Sequence, residues 1–194
     1  MKKFQEFRKS PYYDYLIFAV TLLVANGLWK WSVQGDDDLG ATVTCLGIDC
    51  TMFFEGQMRF IAHRVFQYVS FFVSGVSYDG WYSIGLPSGR TMQVVWGCTP
   101  IKQIFIWLCL LASARPQSWY KIGYALLGGS LFYGLNIIRI TLLTLITNAH
   151  FEWFEVFHFY VFKYLFYGVI FLMWLLWVRL IGKYLQNHNS HISV

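Results

Sequence analysis

The chain has 194 residues, of which 57% are hydrophobic, 21% aromatic and only 13% charged, with a net charge of +5. A soluble domain carries about 25% charged residues, so this composition excludes an ordinary water-soluble protein and points to lipid as the solvent. The basic residues sit at the ends of apolar runs and form no patch with interleaved aromatics, which speaks against nucleic acid as a partner.

A helix crosses the hydrocarbon core with about 20 mostly apolar residues. Residues 12–31, 98–114, 122–147 and 159–180 fit that description, and 60–76 fit it less well. Lys2, Lys3, Arg8 and Lys9 precede the first run, so the positive-inside rule puts the N-terminus in the cytoplasm. The run is read as a retained helix. Ala25-Asn26-Gly27 is a poor cleavage site for a signal peptide, and Trp29 and Trp31 suit an interfacial belt. The loop that follows holds Asp36, Asp37, Asp38, Asp49 and Glu55 and suits the outer side. Cys45 and Cys50 lie in it. Spacing alone leaves two states open for them, a disulfide in an oxidising space or two free thiols.

In the run 60–76, Phe60, Ile61, Val65, Phe66, Val69, Phe72 and Val73 recur with helical spacing, and Arg59, His63, Arg64 and Gln67 punctuate them. This is the pattern of an amphipathic helix at the interface or dipping in re-entrantly. Charge parity agrees. The first helix leaves the chain outside at Gln34, and the connection 115–121 is short, basic and cytoplasmic, so the run that opens at Cys98 must pass from outside to inside. The expected fold is an all-α membrane protein with four transmembrane helices plus an outer amphipathic or re-entrant helix. It forms a single domain over 1–194: first span 12–31, outer loop 32–97, and a three-helix part 98–180. Five transmembrane helices, with Cys98 facing the cytoplasm, is the alternative.

Three unusual side chains then share the outer side. Cys98 opens the second span, within Trp96-Gly97-Cys98-Thr99-Pro100-Ile101. Thr99 is expected as N-cap and Pro100 as first helical residue. That places the thiol beside unpaired helical N–H groups, which favour thiolate, and Lys102 four residues on would add to the effect. Cys109, deep in the same run, reads as an inert apolar cysteine. Arg139 lies about 25 Å up the third span at 1.5 Å per residue. An arginine near mid-helix costs about 2.5–3.5 kcal/mol on insertion scales, so it is expected to face a cavity or a partner rather than lipid. Asn136, three residues earlier, shares its face and is expected to orient it. Ser130 and Gly134 make a small-residue surface for close packing. His158 opens the last span and titrates near neutral pH. His150 is its rival as a base. No cofactor is implied. His150, Glu152, Glu155 and His158 share no single helical face, so no metal site is expected. Together the thiol, guanidinium and imidazole permit thiolate attack on a peptide carbonyl, stabilisation of the oxyanion and protonation of the leaving amine.

The Cys98 segment, the short basic turn, Asn136-Ile137-Ile138-Arg139-Ile140 and His158 before a final helix resemble the exosortase/archaeosortase family, over residues 94–180. The resemblance implies a membrane cysteine protease or transpeptidase with Cys98 as nucleophile, Arg139 as stabiliser and His158 as acid/base. Its substrates would be exported proteins with a C-terminal sorting tail, cut through a thioester at the outer face of the cytoplasmic (inner) membrane. The cut substrate would pass to water or to a surface acceptor, membrane lipid is the surrounding partner, and the oligomeric state is left open. One departure is Pro100, where family members commonly have glycine; proline supplies no backbone N–H. The competing reading is a non-enzymatic membrane assembly or export subunit, which would tolerate loss of all three side chains. A small transporter fits less well, since no repeat symmetry is visible.

Overall fold

The computed structural model describes residues 11–36, 40, 42–115 and 119–181. The basic N-terminus, Asp37, Asp38, Pro116, Lys183 and the polar tail from Gln186 lie outside the described residues. Five principal helices carry the fold: α1 (Pro11–Ser32), α2 (Thr51–Phe72), α3 (Ile101–Ser113), α4 (Tyr120–Ala149) and α5 (Phe162–Leu176). A 3₁₀ turn, one α turn and a π segment (Phe157–Val161) lead into α5 without a break, and a second π segment (Trp177–Ile181) follows it. Three helical stretches are long and apolar enough to cross a membrane: Tyr12–Ser32, Tyr120–Ala149 and Phe151–Arg179. The fourth expected span is shorter than anticipated. Thirteen-residue α3 reaches about 20 Å at 1.5 Å per residue, less than a hydrocarbon core of about 30 Å.

Four helices pack antiparallel in turn. Trp29 meets Phe105, and Thr21 donates to the Ser113 hydroxyl, so α1 and α3 run in opposite directions. Trp107 meets Tyr124 and Phe132 of α4. Phe132 in turn faces Phe166 of α5, while the Tyr124 hydroxyl donates to the Met173 C=O. The end of α1, the start of α3, the far half of α4 and the start of α5 therefore lie at one end of the bundle. Ile106, Trp107, Leu110, Phe132, Phe166, Ile170 and Trp174 fill its core. The tightest approach is Gly128, where a Cβ would overlap the Trp107 indole. Ser130 and Gly134, expected as the packing surface, are exposed, and Gly134 meets nothing within 4 Å.

The amphipathic helix expected over 60–76 is α2. It starts earlier, at Thr51, because Phe54 and Met58 extend the same buried stripe as Ile61, Val65 and Val69. It also stops earlier, since Val73 is extended (φ −131°, ψ 122°). The Thr51 N–H, one of the donors orphaned at its start, is accepted by Asp49 Oδ1 at 2.8 Å. The buried stripe packs on α4 through Ile140 and Leu143 and on a small sheet through Ile84, Met92 and Val94. The polar face is satisfied within its own surroundings. Arg59 lies 4.0 Å over Trp81, and Arg64 donates to Gln67.

Residues 33–93 also hold two three-stranded antiparallel sheets that periodicity does not reveal. The first orders β1 (Val33–Gln34), β2 (Thr44–Cys45) and β3 (Ile48–Asp49); the second orders β4 (Ser77–Tyr78), β5 (Ser83–Gly85) and β6 (Thr91–Gln93). Leu46 (φ 52°) and Gly47 (φ 81°) make the two-residue β2–β3 turn. Positive φ at both positions is the type I′ arrangement that suits a hairpin. Cys45 and Cys50 are free thiols in contact across this hairpin. Burial, and then the neighbouring Cys50, push the Cys45 thiol up to about 11.

Candidate active site

Cys98 sits just outside α3 rather than at its first turn. Trp96–Cys98 form a 3₁₀ turn. Proline disfavours the α region for the residue before it, and Thr99 is accordingly extended (φ −78°, ψ 152°), separating this turn from the helix. Pro100 is the N-cap, and Thr99 does not cap. Instead the Thr99 hydroxyl and N–H both donate to the Trp96 C=O, at 2.8 and 3.0 Å, and lock the turn. Helical i, i+4 spacing therefore does not hold between Cys98 and Lys102. Lys102 lines cavities shared with Lys163 and with Trp29 and Lys30, and is absent from the lining of the Cys98 cavity.

Asn136 has a different partner from the one its spacing suggested. It is fully buried, and its Nδ2 donates to the Cys98 C=O at 2.8 Å. The helix that carries Arg139 thus grips the backbone of the turn that holds Cys98. Arg139, one turn further on, is half-buried, with its guanidinium 5.9 Å from the Phe166 ring centre. Its Nε has no hydrogen-bond partner among the described residues.

His158 lies on the π segment before α5. A π turn widens the helix and is frequent at functional sites. The ring stacks on Phe154 (5.3 Å, 12°) and meets Phe159 edge-on (4.8 Å). These contacts fix its plane. His150 is exposed on the surface, 3.6 Å from Glu152. It lines none of the cavities around Gly97. No three metal-ligating side chains converge among the described residues.

A cavity of about 450 Å³ brings the three together. Cys98, Arg139 and His158 all line it, with β6, Val95, Thr147, Phe151 and Phe154 among its other walls. A smaller cavity of about 220 Å³ shares Gly97, Arg139 and His158 and extends towards Lys102, Lys163 and Tyr167. The site that residue spacing proposed is thus contiguous in space. The part spacing missed is β6, whose two- and three-residue neighbours carry no periodicity. The turn-forming Asp79-Gly80 and Pro87-Ser88-Gly89 on either side of β5 were its available signal.

The family model for transmembrane exosortases matches residues 41–179. The chain belongs to the transmembrane exosortase family. The match begins well before the region 94–180 that carries the resemblance, so α2 and most of both sheets belong to the part this exosortase shares with its family. No curated protein and no solved structure matches the chain. Pro100 takes no donor away from the helix of this exosortase. The N-cap N–H lies outside the helical ladder, while the Pro100 C=O accepts from the Ile104 N–H at 2.9 Å.

Proposed function

We propose that this exosortase is a membrane cysteine peptidase or transpeptidase that removes the C-terminal sorting tail of exported proteins. The observation that carries the reading is the single cavity lined by Cys98, Arg139 and His158, each delivered by a different helical element at the same end of the bundle. In the reaction His158 takes the Cys98 proton, and the thiolate forms a C–S bond to the scissile carbonyl. The carbonyl π electrons move to oxygen, where Arg139 faces the developing charge. Collapse breaks the C–N bond, the leaving amine receives the proton from His158, and a thioester remains. Water or an amine or hydroxyl acceptor then attacks the thioester and releases Cys98.

The proposed arrangement has four crossings: α1, the 3₁₀ turn with α3, α4 and the helical run through α5. Helix α2 and both sheets lie on the outer surface of the cytoplasmic membrane. The antiparallel packing of α1 on α3 supports it, since it leaves the end of α1 and Cys98 at the same end.

The test is cleavage of an exported reporter carrying a motif, an apolar helix and a basic end. Cys98→Ala, Arg139→Ala and His158→Ala are expected to abolish processing, while Cys109→Ala and His150→Ala retain it. Equal processing by wild type and Cys98→Ala overturns the enzymatic reading. A membrane-impermeant thiol reagent that reaches Cys98 only from the cytoplasmic side overturns the topology.

A further inference from the structure

Among the described residues, strand β6 is an edge strand, paired with β5 and with no other strand. Its register fixes where its backbone groups point. The Val94 N–H donates to the Tyr82 C=O at 2.9 Å, and the Leu86 N–H to the Arg90 C=O at 2.8 Å. Bonded and non-bonded pairs alternate along an antiparallel ladder. Residues 90, 92 and 94 therefore face β5, and the N–H and C=O groups of Thr91 and Gln93 face away from it. Among the described residues, no hydrogen bond to these outward groups is formed.

The open side faces the active-site cavity. Thr91, Met92 and Gln93 line it together with Cys98, Arg139 and His158. Exposed edges are ordinarily blunted by a charge, a proline, a bulge or a covering element, and Thr91-Met92-Gln93 carries no charge and no proline. The strand is also held rigidly in place. Arg90 Nη1 donates to the Thr147 C=O at 3.1 Å, and its guanidinium lies 5.0 Å from the Phe151 ring centre. This ties the start of β6 to the end of α4, the helix that carries Asn136 and Arg139.

We propose that the Thr91–Gln93 edge is the subsite for the extended segment of the substrate that precedes its apolar helix. That segment joins the sheet as a fourth strand and so presents its scissile carbonyl to Cys98. The inference rests on the enzymatic reading above. Its occupant follows from the chemistry: a carbonyl inside the tail's helix is already engaged in the helical ladder, so the attacked bond must lie in extended chain. Strand addition supplies affinity through main-chain bonds while leaving side chains to the pockets. Gln93 is then a positioning residue acting through its backbone.

The test uses a reporter tail that the wild-type chain cleaves and Cys98→Ala does not. Gln93→Pro removes the outward N–H and leaves the bonds to β5, a placement that an edge strand accommodates. Gln93→Ala keeps the backbone donor. Cleavage is expected to fall about fivefold to tenfold in Gln93→Pro, the loss of one main-chain bond, and to fall less in Gln93→Ala, which keeps that bond; equal losses in the two variants overturn the role of the backbone. Because Gln93→Pro can lower the amount of folded protein, a second arm places a photo-cross-linking residue at Gln93 or at Ser77 of β4, on the opposite edge, in the Cys98→Ala chain. Capture of the uncut reporter from Gln93 and not from Ser77 supports the subsite. Wild-type rates in both Gln93 variants overturn it, as does equal capture from Ser77, or capture of a second copy of the chain in place of the reporter. Cleavage by Cys98→Ala, or by no form of the chain, overturns the enzymatic reading itself and is told apart by that control.

Discussion

Replacing Asn136 by leucine separates a positioning role from a structural one. Asn136 is fully buried, and its Nδ2 holds the Cys98 C=O at 2.8 Å, while its own Oδ1 has no partner among the described residues. Leucine has a similar volume, so the packing cost is small. The cost lies in the Cys98 carbonyl, a buried acceptor that loses the Asn136 donor, at about 1–3 kcal/mol. If that loss falls on the positioned thiol turn, cleavage slows by about 5- to 150-fold, at one decade per 1.36 kcal/mol. Removing the orphaned Oδ1 offsets part of the same cost in overall stability. The signature is therefore a large fall in cleavage with little change in the detergent-solubilised melting temperature. Asn136→Asp is expected to be worse, because it removes the donor and sets a carboxylate oxygen against the Cys98 carbonyl. Reporter cleavage and thermal melts on the same preparations measure both quantities. An Asn136→Leu chain that cleaves within about twofold of wild type refutes the reasoning, since one buried bond is worth more than that.

Gly128→Ala is expected to lower the melting temperature, because its Cβ overlaps the Trp107 indole and overpacking costs about 1–3 kcal/mol. Gly134→Ala, in open space, is expected to leave the melt unchanged, and equal melts for the two variants contradict the packing. Cys45 has its thiol raised from 9.0 to about 11 by burial and by Cys50, so its alkylation should keep rising with pH well beyond the range where an ordinary thiol levels off. The sign for stability follows. The neutral thiol is favoured in the fold, so its contribution is complete below 9.0 and is lost as pH rises through about 11. An alkylation profile that levels at 9.0 rejects the raised value. Leu46→Asn should raise stability by up to about 1 kcal/mol, because asparagine tolerates the left-handed backbone better than leucine; a lower melting temperature argues against that turn.

The long helices were legible because lipid demands an unbroken apolar run, and α1, α4 and the run into α5 follow theirs to within a few residues, α5's lead-in turns aside. Helix α2 was found but cut short at its start. Glu55 reads as part of the acidic outer loop, yet Phe54 and Met58 continue the buried stripe, and a surface helix keeps polar residues on its other face. The two sheets were not legible. Strands of two or three residues are too short to show alternation. At Asn136 the spacing gave the right surface and the wrong partner. Sharing a helical face with Arg139 says which way Asn136 points, whereas the partner comes from the 3₁₀ turn of another element. Gly128 and the Ser130/Gly134 pair differ in the same way, since which small residue is close-packed depends on where the Trp107 indole lands.

The position of Arg139 ties the fold to the proposed chemistry. An arginine this far along an apolar helix is costly if it faces hydrocarbon, and a buried carboxylate beside it would be the simplest remedy. No salt bridge to Arg139 is formed among the described residues. The guanidinium instead lines two cavities and lies 5.9 Å from the Phe166 ring centre. A paired arginine would have its charge already compensated before any reaction began. An arginine held by a cavity wall and an aromatic ring keeps that charge for an anion that appears only when the thiolate adds to the carbonyl, which is the condition for stabilising a transition state more than a ground state. Arg139→Lys keeps a positive charge but loses the planar fork. It is therefore expected to restore insertion and folding relative to a neutral substitution without restoring cleavage. Recovery of wild-type cleavage by lysine would mean that charge alone suffices and that the orientation of the guanidinium in the cavity has no part in the reaction.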